Sequence, residues 1–269
     1  MTYQPHVEIR KNTAPRDILF VHGNLASKHW WYPVLEIAEA RFKKIGTGVG
    51  SNRGSMVIPE IRGCGRSENP TPGSLKLEDI VQDFISVTEK NDLKNVLLVG
   101  HSAGGLISAL LLARRPDLFA GALLVSPVGP TGLKNVPADI GDKYKMMTDS
   151  RDVATQIIGL TIYGNDASKE FFKTTIMDDS MSALKNSGVD LVKAMINIDY
   201  TEEISKVKQP VILFYGNHDW VLDEASCTDY QKLMVHSKFI KLPDNGHCLN
   251  YENPERLLEE IIEFLGSNI

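Results

Sequence analysis

The chain of 269 residues is 42% hydrophobic and 23% charged, the balance of an ordinary soluble globular protein long enough for one large domain, with or without an insertion. Its formal net charge is −5 and its lysines and arginines are scattered, which excludes a basic footprint for nucleic acid or for an anionic membrane surface. No apolar run is long enough to insert through a bilayer, the start Met1-Thr2-Tyr3-Gln4-Pro5-His6 lacks the pattern of an export signal, and Cys64, Cys227 and Cys248 fit no zinc spacing and cannot all pair, so the expectation is a cytoplasmic protein with reduced thiols.

Short apolar runs alternate with helical periods. His6 to Arg10 and Ile18 to His22 read as strands, joined by the turn signal Asn12-Thr13-Ala14-Pro15. Val34, Leu35, Ala38 and Phe42 form a helical stripe. The glycine-rich loop Gly46 to Gly54 follows, without the strand–helix context of a phosphate-binding loop. Met56 to Ile61 is the next strand, and Leu77, Ile80, Val81, Phe84 and Ile85 mark the next helix. Val96 to Gly100 and Ala122 to Ser126 are strands flanking Leu106 to Ala113, which is apolar almost all round and therefore reads as a central, buried helix.

The alternation stops between Pro127 and Gln209. This stretch reads as four helices, near Ile140–Thr148, Ser150–Tyr163, Ser168–Met177 and Ser182–Asn197, and it holds five of the eight methionines (146, 147, 177, 181 and 195), suited either to core filling or to an adaptable apolar lining. Val211 to Tyr215 and Lys238 to Leu242 resume the strands. A last helix has Asn253 as N-cap, Pro254 at its first position, and Leu257, Leu258, Ile261, Ile262 and Leu265 on its face. Strands that are apolar throughout and alternate with helices predict an α/β fold: a mostly parallel open sheet covered by helices on both faces. Residues 1–126 and 210–269 are the expected core, and 127–209 the expected helical cap over the carboxyl ends of the strands, where such sheets bind ligands.

Chemistry concentrates at three strand ends. Gly100-His101-Ser102-Ala103-Gly104 joins a strand to a helix, a turn so tight that side chains on either glycine would strike backbone; it lifts the Ser102 hydroxyl out of the sheet at the positive end of the helix. A serine hydroxyl needs a base and the base needs an orienting acid. Asp219 leaves one strand in Gly216-Asn217-His218-Asp219, and His247 leaves another in Asn245-Gly246-His247. The order Ser102, Asp219, His247 is one of the known orders for this trio. After the preceding strand, Ser126-Pro127-Val128-Gly129 offers no acid, and Asp223 reads as a helix start. The backbone N–H groups of Ala103 and Asn24 are the expected oxyanion donors, with Leu25 as the alternative to Asn24. Leu25 and Val128 are the expected substrate-lining residues. His22 and His101 read as structural histidines, Cys248 as a small buried filler, and Trp30 and Trp31 as packing residues of which one can face the pocket.

The chain resembles the α/β-hydrolase superfamily over nearly its whole length, on His22-Gly23-Asn24, Arg62-Gly63-Cys64-Gly65-Arg66-Ser67, Gly100-His101-Ser102-Ala103-Gly104, Gly216-Asn217-His218-Asp219 and Gly246-His247. Glu60 stands where the family usually has a structural aspartate, and the Gly46–Gly54 loop is longer than usual. The resemblance implies a helical cap after the sixth sheet strand. It also implies relatives that hydrolyse carbon–carbon bonds of ring-fission diketones, perhydrolases and haloperoxidases, which a long cap disfavours, and receptor-like members with residual activity. Asn24-Leu25-Ala26-Ser27 lacks the glycine–proline–glycine of the carbon–carbon hydrolases, and Ser102 argues against relatives with an aspartate nucleophile. The expected activity is hydrolysis of a carboxylic ester or lactone by Ser102, His247 and Asp219. It calls for no metal and no cofactor, and for a small-molecule substrate acted on by a monomer or homodimer.

Overall fold

A computed structural model of the chain describes residues 3–45, 54–164 and 169–266. Strands β1 (Val7–Ala14), β2 (Ile18–Val21), β3 (Gly54–Pro59), β4 (Val96–His101), β5 (Phe119–Val125), β6 (Val211–Gly216) and β7 (Ser237–Leu242) form one sheet in the order β1-β3-β2-β4-β5-β6-β7. β1 runs antiparallel to β3, and the remaining pairings are parallel.

Both faces of this sheet are dry. Along β2, Leu19 and Val21 pack into one hydrophobic layer, while Ile18 and Phe20 pack into the other. Along β4, Val96 and Leu98 separate from Leu97 and Val99 in the same way, because strand side chains alternate between faces. The first layer is closed by α2 (Leu77–Lys90) and α3 (Ala103–Arg114); the second by α1 (Tyr32–Ile45) and the carboxyl-terminal helix, α11 below. Burial of each Leu or Ile in these layers contributes about 1.5–3 kcal/mol. β7 lies at the sheet edge and carries exposed Lys238 and Lys241, charges that discourage a further strand from pairing there.

Between β5 and β6 the chain forms α4 (Ile140–Asp149), α5 (Arg151–Leu160), α6 (Met177–Asn186), α7 (Gly188–Ala194) and the short α8 (Thr201–Ile204). After β6 come α9 (Ala225–Leu233), α10 (Leu249–Glu252) and α11 (Pro254–Gly266). Met147, Ile158, Phe172 and Met177 of the inserted helices share a third hydrophobic cluster with Ala26 and Trp30, which fastens the insertion to the segment after β2. Among the described residues no helix is long and apolar enough to cross a membrane.

The structure departs from the sequence expectations at several places. β1 continues through Asn12 to Ala14, because its ladder with β3 extends to Ala14↔Gly54 and outweighs the local turn signal. The inserted helices follow the fifth strand in chain order, not the sixth. The expected break between Met177 and Ser182 is helical: a single π turn at Phe172–Ile176 runs straight into α6. Asp178, Asp179 and Ser180 read as a loop, but their side chains bond Arg151, His29 and the Leu25 carbonyl rather than competing for their own backbone. The glycine-rich segment 46–53 and the expected helix start at Ser168 lie outside the described residues.

Glu60 is fully buried beneath the loop that carries Arg62 to Ser67. Its carboxylate faces Lys28 Nζ at 3.2 Å and His6 Nδ1 at 2.8 Å, and accepts the Arg66 N–H at 3.0 Å. Gly65 has φ +54°, and a Cβ there would stand 1.8 Å from Glu60 Oε1, so glycine is required on both counts.

Candidate active site

Ser102 lies between the end of β4 and the first residue of α3, with φ 55° and ψ −118°. This left-handed conformation is strained for a serine and is held by its neighbours: its N–H donates to Val125 O at 3.0 Å, and its own carbonyl accepts from Gly105 at 2.9 Å and Val128 at 3.0 Å. A Cβ on Gly104 would come within 2.1 Å of Val21 O, and one on Gly100 within 2.5 Å of Gly104 O. The glycines are therefore what allow α3 to press against β2. Leu25 (φ 52°) and Ser126 (φ 41°) share the strained conformation, and all three residues follow adjacent strands β2, β4 and β5.

Asp219 and His247 meet across the ends of β6 and β7. Asp219 Oδ2 accepts from His247 Nδ1 at 2.8 Å, which leaves Nε2 as the basic nitrogen of that ring. Asp219 Oδ1 accepts the N–H groups of Val221 at 2.9 Å and Leu222 at 3.0 Å. Burial alone would raise this carboxyl, but the His247 charge and hydrogen bond, the Leu222 N–H and the Ser126 hydroxyl outweigh it and hold Asp219 below the usual carboxylate value. Glu252 on α10 grips the backbone on both sides of the histidine, accepting Gly246 N–H at 2.7 Å and Cys248 N–H at 3.0 Å.

Ser102 and His247 border the same apolar cavity of about 410 Å³. Among the described residues no hydrogen bond joins them. His101 is buried beside His247 and bonds its carbonyl through Nε2 at 3.0 Å. Burial, then the neighbouring His247, pushes the His101 ring down to about 3. His22 is equally enclosed, with Nδ1 on Gly23 O at 2.8 Å and Nε2 accepting the Ile61 N–H at 3.0 Å. His22 borders neither cavity, whereas His101 also lines the apolar one beside His247. Cys248 is buried and its thiol is raised by that burial, while it also lines the cavity. Trp30 faces the cavity and Trp31 packs in the core against Phe20.

Of the expected oxyanion residues, Ala103 directly follows Ser102 in the chain and Asn24 borders the cavities that Ser102 borders. Asn24 and Ser102 line both this cavity and a second, more polar one of about 690 Å³. Among the described residues neither the Asn24 nor the Ala103 backbone N–H has a protein acceptor. Leu25 does not serve as the alternative donor, because its N–H is taken by Asn24 Oδ1 at 2.9 Å; its side chain lines the apolar cavity, and Val128 lines the other. The Asn24 amide in turn donates to the Tyr144 hydroxyl and to Gly188 O, each at 2.9 Å.

Several of these supports had no sequence signal. Tyr144 sits on a helix whose exposed positions are mostly charged, and Asp179 and Ser180 read as a loop. Ser126, directly before a proline at a strand end, carried a turn signal but no acid. The inserted helices also reach the other two loops: Trp220 Nε1, next to Asp219, donates to Leu160 O at 2.6 Å, and the His247 N–H donates to Thr161 O at 3.3 Å. Met146, Met147 and Met195 line the cavities, whereas Met177 is core filling. Among the described residues no group of three or more His, Cys, Asp or Glu is placed to hold a metal.

A sequence profile of the family described as alpha/beta hydrolase fold matches residues 18–254. The chain belongs to the α/β-hydrolase fold family. This α/β hydrolase is 23% identical over 266 residues to AB hydrolase superfamily protein YisY of Bacillus subtilis (strain 168), covering 94% of this chain and 92% of that one. It is 25% identical over 275 residues to the bifunctional esterase/perhydrolase DCH of Acinetobacter calcoaceticus, covering 96% and 95%. Among solved structures, the esterase EaEST from Exiguobacterium antarcticum is similar with a TM-score of 0.80 at 16% identity, over 98% of both chains.

Proposed function

We propose that this α/β hydrolase cleaves a carboxylic ester or lactone through an acyl-enzyme on Ser102, with His247 as base, Asp219 as its orienter, and residues 127–209 as a cap over the core formed by 1–126 and 210–269. One observation carries this: a strained serine at the start of a buried helix shares a cavity with a histidine whose far nitrogen is tied to a buried carboxylate. The likeness to an esterase/perhydrolase across nearly the whole chain supports the ester half of that description.

Ser102 Oγ attacks the substrate carbonyl carbon as His247 Nε2 takes its proton, and Asp219 stabilises the imidazolium that forms. The carbonyl π pair moves to oxygen, which the N–H groups of Asn24 and Ala103 receive; each such donor is worth on the order of 10²–10³ in rate. The oxyanion collapses, the bond to the alcohol oxygen breaks, and the proton on His247 leaves with that alcohol. Water then gives a proton to His247 and adds to the acyl carbon. Collapse releases the carboxylic acid and returns the proton to Ser102.

The test is turnover of a panel of p-nitrophenyl esters and lactones, with labelling by a fluorophosphonate. Ser102→Ala should abolish labelling and lower turnover by on the order of 10⁴-fold or more. Ester turnover that survives in this variant near the native rate would remove Ser102 from the chemistry.

A further inference from the structure

The two cavities that meet over Ser102 differ in chemistry. Their shared wall is Asn24, Ser102, Ile140, Tyr144, Trp220 and Val221. Beyond it, the 410 Å³ chamber is bounded by Trp30, Met147, Ile158, Cys248 and His247. The 690 Å³ chamber adds Thr131, Lys134, Asp223 and Asp229 to an otherwise mostly apolar wall that includes Val128, Leu133 and Met195. Both volumes suit a small-molecule site.

Acyl transfer assigns a direction to this asymmetry. With the substrate carbon on Ser102 Oγ and its oxygen on the Asn24 and Ala103 N–H groups, two substituents remain. The one whose C–O bond breaks must lie beside His247, since that ring returns to it the proton taken from Ser102. His247 borders only the apolar chamber. The acyl carbon chain must then leave on the side of Val128.

We propose that the apolar chamber receives the alcohol half of the substrate and the polar chamber the acyl half, so that the preferred ester joins a bulky apolar alcohol to an acyl group bearing neutral or cationic polar substituents. This rests on the serine-hydrolase function proposed above. Two features extend it. Met146 and Trp220 line the apolar chamber and are 60% and 58% exposed, so an alkyl chain longer than the chamber can continue along their apolar surfaces. The polar chamber is bordered by Lys134, whose Nζ lies 3.8 Å from Asp229, and by the carboxylates of Asp219, Asp223 and Asp229, a balance that disfavours a carboxylate on the acyl group and favours hydroxyl, amide or amine.

Two matched ester series test the assignment with the native chain, Ile157→Trp in the wall of the apolar chamber and Thr131→Trp in that of the polar one. The alcohol is varied from methyl to hexyl on a constant acetyl group, and glycoloyl is compared with butanoyl on a constant hexyl alcohol. The native protein should show kcat/KM rising with alcohol length and higher for glycoloyl than for butanoyl. Ile157→Trp should lower the hexyl-to-methyl ratio by roughly tenfold and leave the glycoloyl preference intact; Thr131→Trp should do the converse. If Ile157→Trp does not fold, Met146→Trp narrows the same chamber from a more exposed position. Ser102-dependent hydrolysis in which the two variants exchange these effects, or in which the native preferences are reversed, overturns the chamber assignment alone. Absence of Ser102-dependent hydrolysis of every ester overturns the serine-hydrolase function and the assignment with it.

Discussion

Asp179 Oδ2 lies 2.7 Å from His29 Nδ1, joining α6 of the inserted helices to the segment that follows the Asn24 turn. The same carboxylate bonds the Ser27 hydroxyl, and its neighbour Ser180 donates to Leu25 O at 2.7 Å. The backbone between Asn24 and His29 is therefore shaped from above, by residues about 150 positions away in sequence. Asp179→Asn and Ser180→Ala should each lower kcat on a p-nitrophenyl ester by roughly tenfold while KM changes less than about twofold, because a displaced donor weakens the transition state more than the ground state. Steady-state kinetics distinguish this from a binding role, in which KM would rise and kcat stay.

Gly104→Ala places a methyl within 2.1 Å of Val21 O, at the closest approach of α3 to β2. Neither backbone can retreat without disturbing a buried layer. The expected loss of stability is about 1–3 kcal/mol, the range for overpacking, read as a lowered urea midpoint. An unchanged midpoint would show that the turn at Ser102 has slack.

Ser126 supports Asp219 from the neighbouring strand end, and its hydroxyl is one of the groups holding that carboxyl low. In Ser126→Ala the Asp219 carboxyl should titrate at a higher pH, measured by carboxyl NMR, and stability at neutral pH should fall. Because the folded value is below the ordinary 3.8, the contribution of Asp219 is complete above that value and disappears as pH falls through the lower, folded one. The stability lost in the variant should accordingly shrink in strong acid. A loss of the same size at every pH would place the effect in packing instead.

His101 stays neutral in the folded chain down to about 3, where an unfolded chain would protonate it near the ordinary 6.5. Between these values the unfolded state binds the extra proton, so stability must fall as pH drops from 6.5 toward 3, by up to about 1.4 kcal/mol per pH unit for this group. His22, lowered by the same burial, acts in the same direction. Urea unfolding at pH 7 and pH 4.5 should show a smaller acid loss in His101→Gln than in the native chain. Equal losses would assign the acid sensitivity elsewhere.

The sheet was legible because burial on both faces forces apolar runs, as in Val96–Val99 and Val211–Phe214, and because Gly100 and Gly104 have a steric duty that no other residue meets. The trio of Ser102, Asp219 and His247 was legible as three strand ends, and the structure brings Asp219 and His247 into direct contact. Where local signals misled, a distant partner decided. Asp178 to Ser180 are helical because Arg151, His29 and Leu25 take their side chains, and Leu25 lost its N–H to the side chain of the preceding residue. Tyr144 had no signal at all, since nothing in its helical period indicates that its hydroxyl meets Asn24.

The end of α5 presents two consecutive carbonyls to the loops after β6 and β7: Leu160 O to Trp220 beside Asp219, and Thr161 O to the His247 N–H. Any displacement of that helix is felt by both loops together, while the Asn24 turn is tethered to α6 and α7. Under the function proposed above, access and reactivity are mechanically opposed: swinging the inserted helices aside would pull on the Asp219, His247 and Asn24 loops at once, a safety catch against bystander molecules.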